Sequence, residues 1–238
     1  MVMNRVVLTL ALLAATLLPA APYNEWSETR HEAVSESGRW ESAIQAFERM
    51  DKESPPPSQS VLMVGSSSFA MWRSAPGDMK PFTVINRGFG GSTLPDVLQY
   101  FDRVVVPYKP RLILLYEGDN DLAQHRTPKQ FLADVKTFAK RVKNVLPDTG
   151  ILILTIKPSM SRWSLWTQMQ EANRLVAEYC RTQEGVEPVD VGSVLLGKDG
   201  RPRSGLYMSD RLHLNQEGYR LWVDVLKPRI EKMLAAAK

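Results

Sequence analysis

Residues 61–68 read Val-Leu-Met-Val-Gly-Ser-Ser-Ser. Four apolar residues closed by a glycine have the length of a buried strand, and the serines that follow open a loop. The same build recurs along the chain. Further short apolar runs stand at Phe82–Ile85, Leu112–Tyr116, Ile151–Ile156 and Val186–Val191, most of them separated by longer stretches of helical period. Five strands with intervening helices imply an α/β fold with a five-stranded parallel sheet, right-handed crossovers and both faces covered. Ligands of such a sheet bind in the loops that leave the strand carboxyl ends, so the residues just after these runs are the ones to read for chemistry.

The helical stretches carry their own signals. Thr127 is an N-cap with Pro128 in the first helical position, and Phe131, Val135, Phe138, Val142 and Val145 then recur at steps of three and four. A second helix is expected from about Trp163 to Arg181. A last one is expected from about Gln216 onward, bent or broken at Pro228. Upstream, Trp40, Ile44 and Phe47 with Ala43 and Met50 make residues 40–52 amphipathic, and Ser54-Pro55-Pro56-Pro57-Ser58 stops that helix in a stiff linker.

Residues 1–21 carry Arg5, an apolar run from Val6 to Leu18 interrupted by two Thr, and then Pro19-Ala20-Ala21. This is the build of a secretory signal peptide, with cleavage after Ala20 or Ala21, and the apolar run is short for a membrane span. The expected product is exported, periplasmic or secreted, with no stable membrane span. The expected organisation is a signal segment at 1–21, an N-terminal helix and Pro-rich linker at 22–58, and one domain at 59–238.

Composition narrows the chemistry. Of 238 residues, 30 are Lys or Arg, 26 are Asp or Glu, three are His and one is Cys. One cysteine excludes an intrachain disulfide framework and a Cys-built zinc site. His31, His125 and His213 share no local ligand spacing, which leaves little material for a His-rich metal centre; no metal or organic cofactor is expected. Basic residues are scattered among acidic ones, which gives no footprint for nucleic acid.

Four strand-end segments hold the reactive residue types. Gly65-Ser66-Ser67-Ser68 follows the first strand and precedes a helix start. Asn86-Arg87-Gly88-Phe89-Gly90-Gly91-Ser92 follows the second, where glycines let backbone N–H groups approach a ligand. Glu117-Gly118-Asp119-Asn120-Asp121 follows the third, and an Asn at a strand end is able to donate its amide to a developing oxyanion. Near the C-terminus, Asp210 stands three residues before His213, within reach of its Nδ1–H, which leaves Nε2 for general base work. Taken singly, these segments read equally as a capping turn, a tight turn, an Asx-rich turn and a chance pairing. A G-x-S-x-G nucleophile elbow is absent, and Thr93 spoils a dinucleotide fingerprint.

In this order and at these strand ends, the four segments resemble the SGNH (GDSL-like) hydrolase family, in its small lipase/acylhydrolase branch, from about Val61 to Tyr219. The resemblance implies a flavodoxin-like three-layer α/β/α sandwich and a serine esterase acting through an acyl-enzyme. By position it assigns Ser67 as nucleophile and Asp210 and His213 as its triad partners. The oxyanion hole would comprise the Ser67 and Gly91 N–H groups and the Asn120 amide. Here Gly-Ser-Ser-Ser stands where the family has Gly-Asp-Ser-Leu. The G-x-S register favours Ser67, and Ser66 and Ser68 read as loop-ordering hydroxyls. His31 lies close to the signal-like segment, and His125 has no carboxylate three residues before it.

The substrate expected is a small ester or an acylated glycan or lipid. Acyl transfer to a glycan hydroxyl, or a silent glycan-binding sandwich, are the alternatives. Trp72 reads as core and Cys180 as a buried small residue. Trp163 and Trp166 suit a pocket lining as well as packing. Arg87 reads as the partner of a nearby carboxylate such as Asp119 or Asp121.

Overall fold

The computed structural model describes residues 38–236. The signal-like segment at 1–21 and His31 lie outside the described residues. In chain order the elements are α1 (Glu41–Glu53), β1 (Val61–Gly65), α2 (Ser67–Ala70), α3 (Ala75–Asp78), β2 (Val84–Gly88), α4 (Leu94–Gln99) and α5 (Phe101–Val104). They continue as β3 (Leu112–Tyr116), α6 (Asp119–Ala123), α7 (Pro128–Val145), β4 (Gly150–Leu154), α8 (Trp166–Cys180), β5 (Val186–Val189) and α9 (Gln216–Ala236).

The strands form one sheet in the order β2-β1-β3-β4-β5, with every pair parallel. Side chains alternate between its two faces with period two. Leu62, Val64, Ile113, Leu115, Ile151 and Ile153 enter one core with residues of α1, α4, α5, α7 and α8. Val61, Met63, Leu112, Leu114, Leu152 and Leu154 enter the other, against α2, α3 and α9. This is the expected three-layer sandwich, and it explains why β1, β3 and β4 are apolar throughout: every residue in them is buried. β5 is an edge strand and carries Pro188.

Local signals account for most boundaries. Thr127 Oγ1 accepts from the Gln130 N–H at 3.2 Å while Gln130 Oε1 accepts from the Thr127 N–H at 2.8 Å, a reciprocal cap that starts α7. Phe131, Val135, Phe138 and Val142 are buried as the spacing predicts, whereas Val145, the last residue of the helix, is 52% exposed. α1 packs through Trp40 and Ile44 into the first core, and Arg103 bridges its Glu41 and Glu48. Trp72 and Cys180 are buried as expected.

Several boundaries differ from the sequence reading; β5, for one, ends at Val189 instead of Val191. β2 runs over Val84–Gly88 instead of Phe82–Ile85, because Asn86, Arg87 and Gly88 pair in register with Met63, Val64 and Gly65. The backbone ladder, not apolarity, sets that end. β4 stops at Leu154 because the Ile156 N–H is taken by the Asn173 side chain at 2.8 Å. A turn of 3₁₀ helix over Trp163–Leu165 precedes α8. α9 continues through Pro228 unbroken. Pro228 and Asp224, whose carbonyl loses its helical partner there, are both solvent-exposed, so water serves that carbonyl.

The chain leaves β1 toward β2 on one side and then crosses back to β3 on the other. This reversal opens a crevice at the carboxyl ends of β1 and β3. Gly65 closes β1 there with φ +149°, and a Cβ on it would stand 2.0 Å from the Tyr116 carbonyl oxygen. Gly65→Ala is therefore expected to destabilise the fold by at least about 2 kcal/mol in urea unfolding, through clash and backbone strain together.

Candidate active site

The sharp turn after Gly65 places Ser66 as N-cap and Ser67 as the first residue of α2. Several bonds fix this turn. The Ser66 N–H donates to the Tyr116 carbonyl at 3.1 Å, and the Phe89 N–H donates to the Gly65 carbonyl at 2.8 Å. Asn86, inside β2, donates to the Phe69 carbonyl at 2.7 Å and so ties the edge of the sheet to α2. From α9, Tyr219 donates to the Ser68 carbonyl at 2.9 Å, and its ring stacks on Trp72 at 4.9 Å. Ser67 is thus held by β1, β2, β3 and α9 together.

Of the three adjacent serines, Ser66 and Ser68 are fully buried. The Ser66 hydroxyl has no hydrogen-bond partner among the described residues, so it does not order the loop as the sequence reading supposed. Only Ser67 meets a base: its Oγ lies 2.8 Å from His213 Nε2. His213 Nδ1 lies 2.6 Å from Asp210 Oδ2. The other Asp210 oxygen accepts the Leu212 and His213 backbone N–H groups, both at 2.9 Å, which forces the chain back on itself so that carboxylate and ring face each other. Arg211, between them, takes φ +60° to make this turn. Burial raises the Asp210 pKa, but the His213 ring and the two backbone donors outweigh it and hold the carboxyl at about 2.

The second and third blocks converge on the same point. A Cβ on Gly90 would lie 3.9 Å from the Ser67 Cβ, and Gly91 has φ +81°. Among the described residues neither the Ser67 nor the Gly91 backbone N–H has a carbonyl partner. Asn120, on α6, donates Nδ2 to the Ser92 carbonyl at 2.8 Å. All five residues singled out in the sequence therefore meet at the β1–β3 crevice.

The network behind them contains residues that sequence reading did not find. Trp40 donates its indole N–H to the Gly90 carbonyl at 2.9 Å and packs edge-on against Phe89, so the segment before α1 braces the glycine turn. Arg162 donates to Asn120 Oδ1 at 2.7 Å and lies 3.4 Å from Asp119. Lys157, fully buried, reaches Asp119 at 3.2 Å. Burial raises the Asp119 pKa, but Lys157 and Arg162 override it and keep this carboxyl below its ordinary value. Arg87 does not pair with Asp119 or Asp121; as part of β2 it points to α1, where it bonds Asp51, and it also donates to Tyr108, in the turn between α5 and β3. Trp163 and Trp166 stack on each other at 5.9 Å, partly exposed, directly after Arg162.

Glu117 behaves differently from Asp119. It is buried without a cation, so desolvation and the nearby Asp121 push its pKa well above the ordinary value. Ser92 Oγ lies 2.6 Å from Glu117 Oε1 and 2.9 Å from the Phe89 carbonyl oxygen. A hydroxyl has one proton, so both contacts are hydrogen bonds together only when Glu117 is protonated and supplies the second. A neutral Glu117 thus pins Ser92, whose carbonyl holds Asn120. Among the described residues no group of three or more His, Cys, Asp or Glu is disposed to hold a metal ion, and no helix is long and apolar enough to cross a membrane.

Comparison with known proteins gives a consistent picture. The model of the GDSL-like Lipase/Acylhydrolase family matches residues 62–221. A Bacteroides fragilis protein described as an acylhydrolase superposes with TM-score 0.71 at 22% identity, over 80% of this chain and 96% of that one. A GDSL-like lipase from Bacteroides thetaiotaomicron gives TM-score 0.68 at 19% identity, over 79% and 97%. An acetylxylan esterase from Geobacillus stearothermophilus, in a catalytic mutant, gives TM-score 0.61 at 15% identity, over 74% and 95%. No curated protein matches the chain.

The state of Glu117 has a measurable consequence. The folded chain keeps a proton that the unfolded chain releases above its ordinary value of 4.5, so this group lowers native stability as pH rises from there. Glu117→Gln stays neutral and its amide still donates to Ser92. Its stability relative to the unsubstituted protein is expected to increase steadily as urea unfolding is repeated from about pH 5 to about pH 8.

Proposed function

From the premise that the chain belongs to the GDSL-like lipase/acylhydrolase family and is an SGNH ester hydrolase, we propose that it cleaves short-chain carboxylic esters through a Ser67–His213–Asp210 triad. The observation that carries this reading is the unbroken hydrogen-bonded run from Ser67 Oγ through His213 to Asp210, with unpaired backbone donors beside it.

The chemistry follows from the parts. His213 Nε2 takes the Ser67 proton as Oγ attacks the ester carbonyl, and the carbonyl oxygen becomes an oxyanion. The Ser67 and Gly91 N–H groups and the free Asn120 N–H hold that oxyanion. The tetrahedral intermediate collapses, His213 returns its proton to the departing alkoxide, and an acyl-enzyme remains. Water, deprotonated by His213, then releases the acid. Asp210 holds Nδ1–H throughout and stabilises the imidazolium. With its carboxyl at about 2, Asp210 adds no ionisation of its own to the working range.

A short acyl group, acetyl above all, fits a site with no lid domain and no long apolar insertion in the sequence beside it. An acetylated glycan is the second reading for the alcohol portion. The partly exposed Trp163 and Trp166 stand beside Arg162, with Arg201 over the Trp163 ring at 5.0 Å, and offer aromatic contact to a sugar. We place the reaction outside the cytoplasm, on the signal-like composition of residues 1–21.

Fluorophosphonate labelling with mass-spectrometric mapping tests the assignment. The adduct is expected on Ser67 and absent in His213→Ala. Ser67→Ala and His213→Ala are each expected to lower kcat on p-nitrophenyl acetate by at least about 10⁴-fold. An adduct on Ser66 or Ser68 would overturn the assignment, and no adduct together with no turnover would point to a binding domain. In a pH series, kcat/KM is expected to show no limb from Asp210 from about pH 4 upward, because that carboxyl is already ionised there.

A further inference from the structure

We infer that Arg162 is a positioning residue for Asn120, holding its amide in the single orientation that presents an N–H to the reacting oxygen and polarising that N–H with its charge. The inference rests on the ester-hydrolase reading and on Asn120 as an oxyanion donor, and it concerns how that donor is aimed.

A primary amide carries a donor end and an acceptor end of nearly the same shape. If Asn120 turned over, Oδ1 would face the developing oxyanion and repel it. Two partners of opposite kind prevent this. The Ser92 carbonyl only accepts, and it takes one Nδ2 proton at 2.8 Å. The Arg162 guanidinium only donates, and it gives to Oδ1 at 2.7 Å. Together they allow one orientation and leave one N–H over. Asn120 is 7% exposed, so water does little to replace a lost partner.

The placement of Arg162 points to the amide as its purpose. Its Nη1 faces Asp119 at 3.4 Å but has no hydrogen-bond partner among the described residues, whereas Nη2 makes the short bond to Asn120. A guanidinium placed only to neutralise Asp119 would meet that carboxylate with its fork. Lys157 already holds Asp119 from the other side at 3.2 Å. Arg162 therefore keeps a donor for the carbonyl end of Asn120 and lays its positive charge against it. A cation on Oδ1 draws electron density from the amide nitrogen and makes its remaining N–H a stronger donor.

A mutant cycle on p-nitrophenyl acetate tests this, with thermal unfolding of every variant as a fold control. Asn120→Ala is expected to lower kcat about 10²–10³-fold. Arg162→Met is expected to lower kcat about 10–100-fold with KM within about twofold, because a donor is misaimed and weakened while substrate binding is untouched. Arg162→Lys is expected to recover part of that loss. On the Asn120→Ala background, Arg162→Met is expected to cost less than about twofold more, since the group it positions is gone.

Multiplying effects of the two substitutions, or an Arg162→Met effect confined to KM, would overturn the inference while leaving the esterase reading intact. Undiminished kcat in Asn120→Ala would overturn both the role of Asn120 and this inference. Absence of turnover by the unsubstituted protein would overturn the function on which both stand. Should Arg162→Met not fold, Arg162→Gln, which keeps a donor without the charge, is read in the same cycle with the same criteria.

Discussion

β1 and β3 approach so closely at their carboxyl ends that no side chain fits between Gly65 and the Tyr116 carbonyl. This contact sets the geometry of everything above it. It delivers Ser67 at the start of α2 and, one residue beyond the end of β3, the segment that carries Asn120. Since the two strands leave the switch point in different directions, the helices that follow them diverge, and the space between is where the groups converge. Asn86 and Tyr219 then hold α2 from two sides through backbone carbonyls. Ser67 therefore owes its position to bonds that never touch its own hydroxyl.

The electrostatics follow from how deeply the third block is buried. Three carboxyl groups, Glu117, Asp119 and Asp121, enter the interior within five residues. Each is made tolerable differently. Asp119 receives Lys157 and Arg162. Asp121 accepts the backbone N–H groups of Gly118 and Leu94, while desolvation still raises its pKa to about 6. Glu117 is kept neutral and bonded to Ser92. Isolated charges in such surroundings would each cost several kcal/mol. The cations and protons that avoid this cost also fix Ser92 and Asn120, so neutralising the interior and ordering the site are one task.

Much of this was readable in the residues. Val61-Leu62-Met63-Val64-Gly65 and Leu112–Tyr116 announce strands because both faces of the sheet are covered, and Thr127-Pro128 announces a helix because its cap is local. The meeting of Ser67 with His213 and Asp210 was readable although Ser67 and His213 stand 146 positions apart, because the segments that carry them, taken in order, resemble a known family. What escaped reading is tertiary. Nothing local marks Arg162 as the partner of Asn120, 42 residues away, or Lys157 as the counter-ion of Asp119; an Arg beside Trp163 reads as surface. Arg87 was matched to the wrong carboxylate because its place inside β2 turns it toward Asp51. The end of β2 was misplaced because ladder pairing tolerates Asn86 and Arg87, whose polarity suggests a loop.

The outer edge of β5 has a consequence for the behaviour of the molecule in concentrated solution. The Gly185 and Val189 carbonyls bond β4, so by strand alternation the backbone N–H and C=O positions of Val186 and Pro188 face away from β4. Proline brings no N–H. The outer margin of this four-residue strand therefore carries a single amide donor, from Val186, and an extending strand finds no ladder to continue. An unprotected edge of a parallel sheet is a template for intermolecular pairing and aggregation; at the β5 edge one imino acid withholds that template.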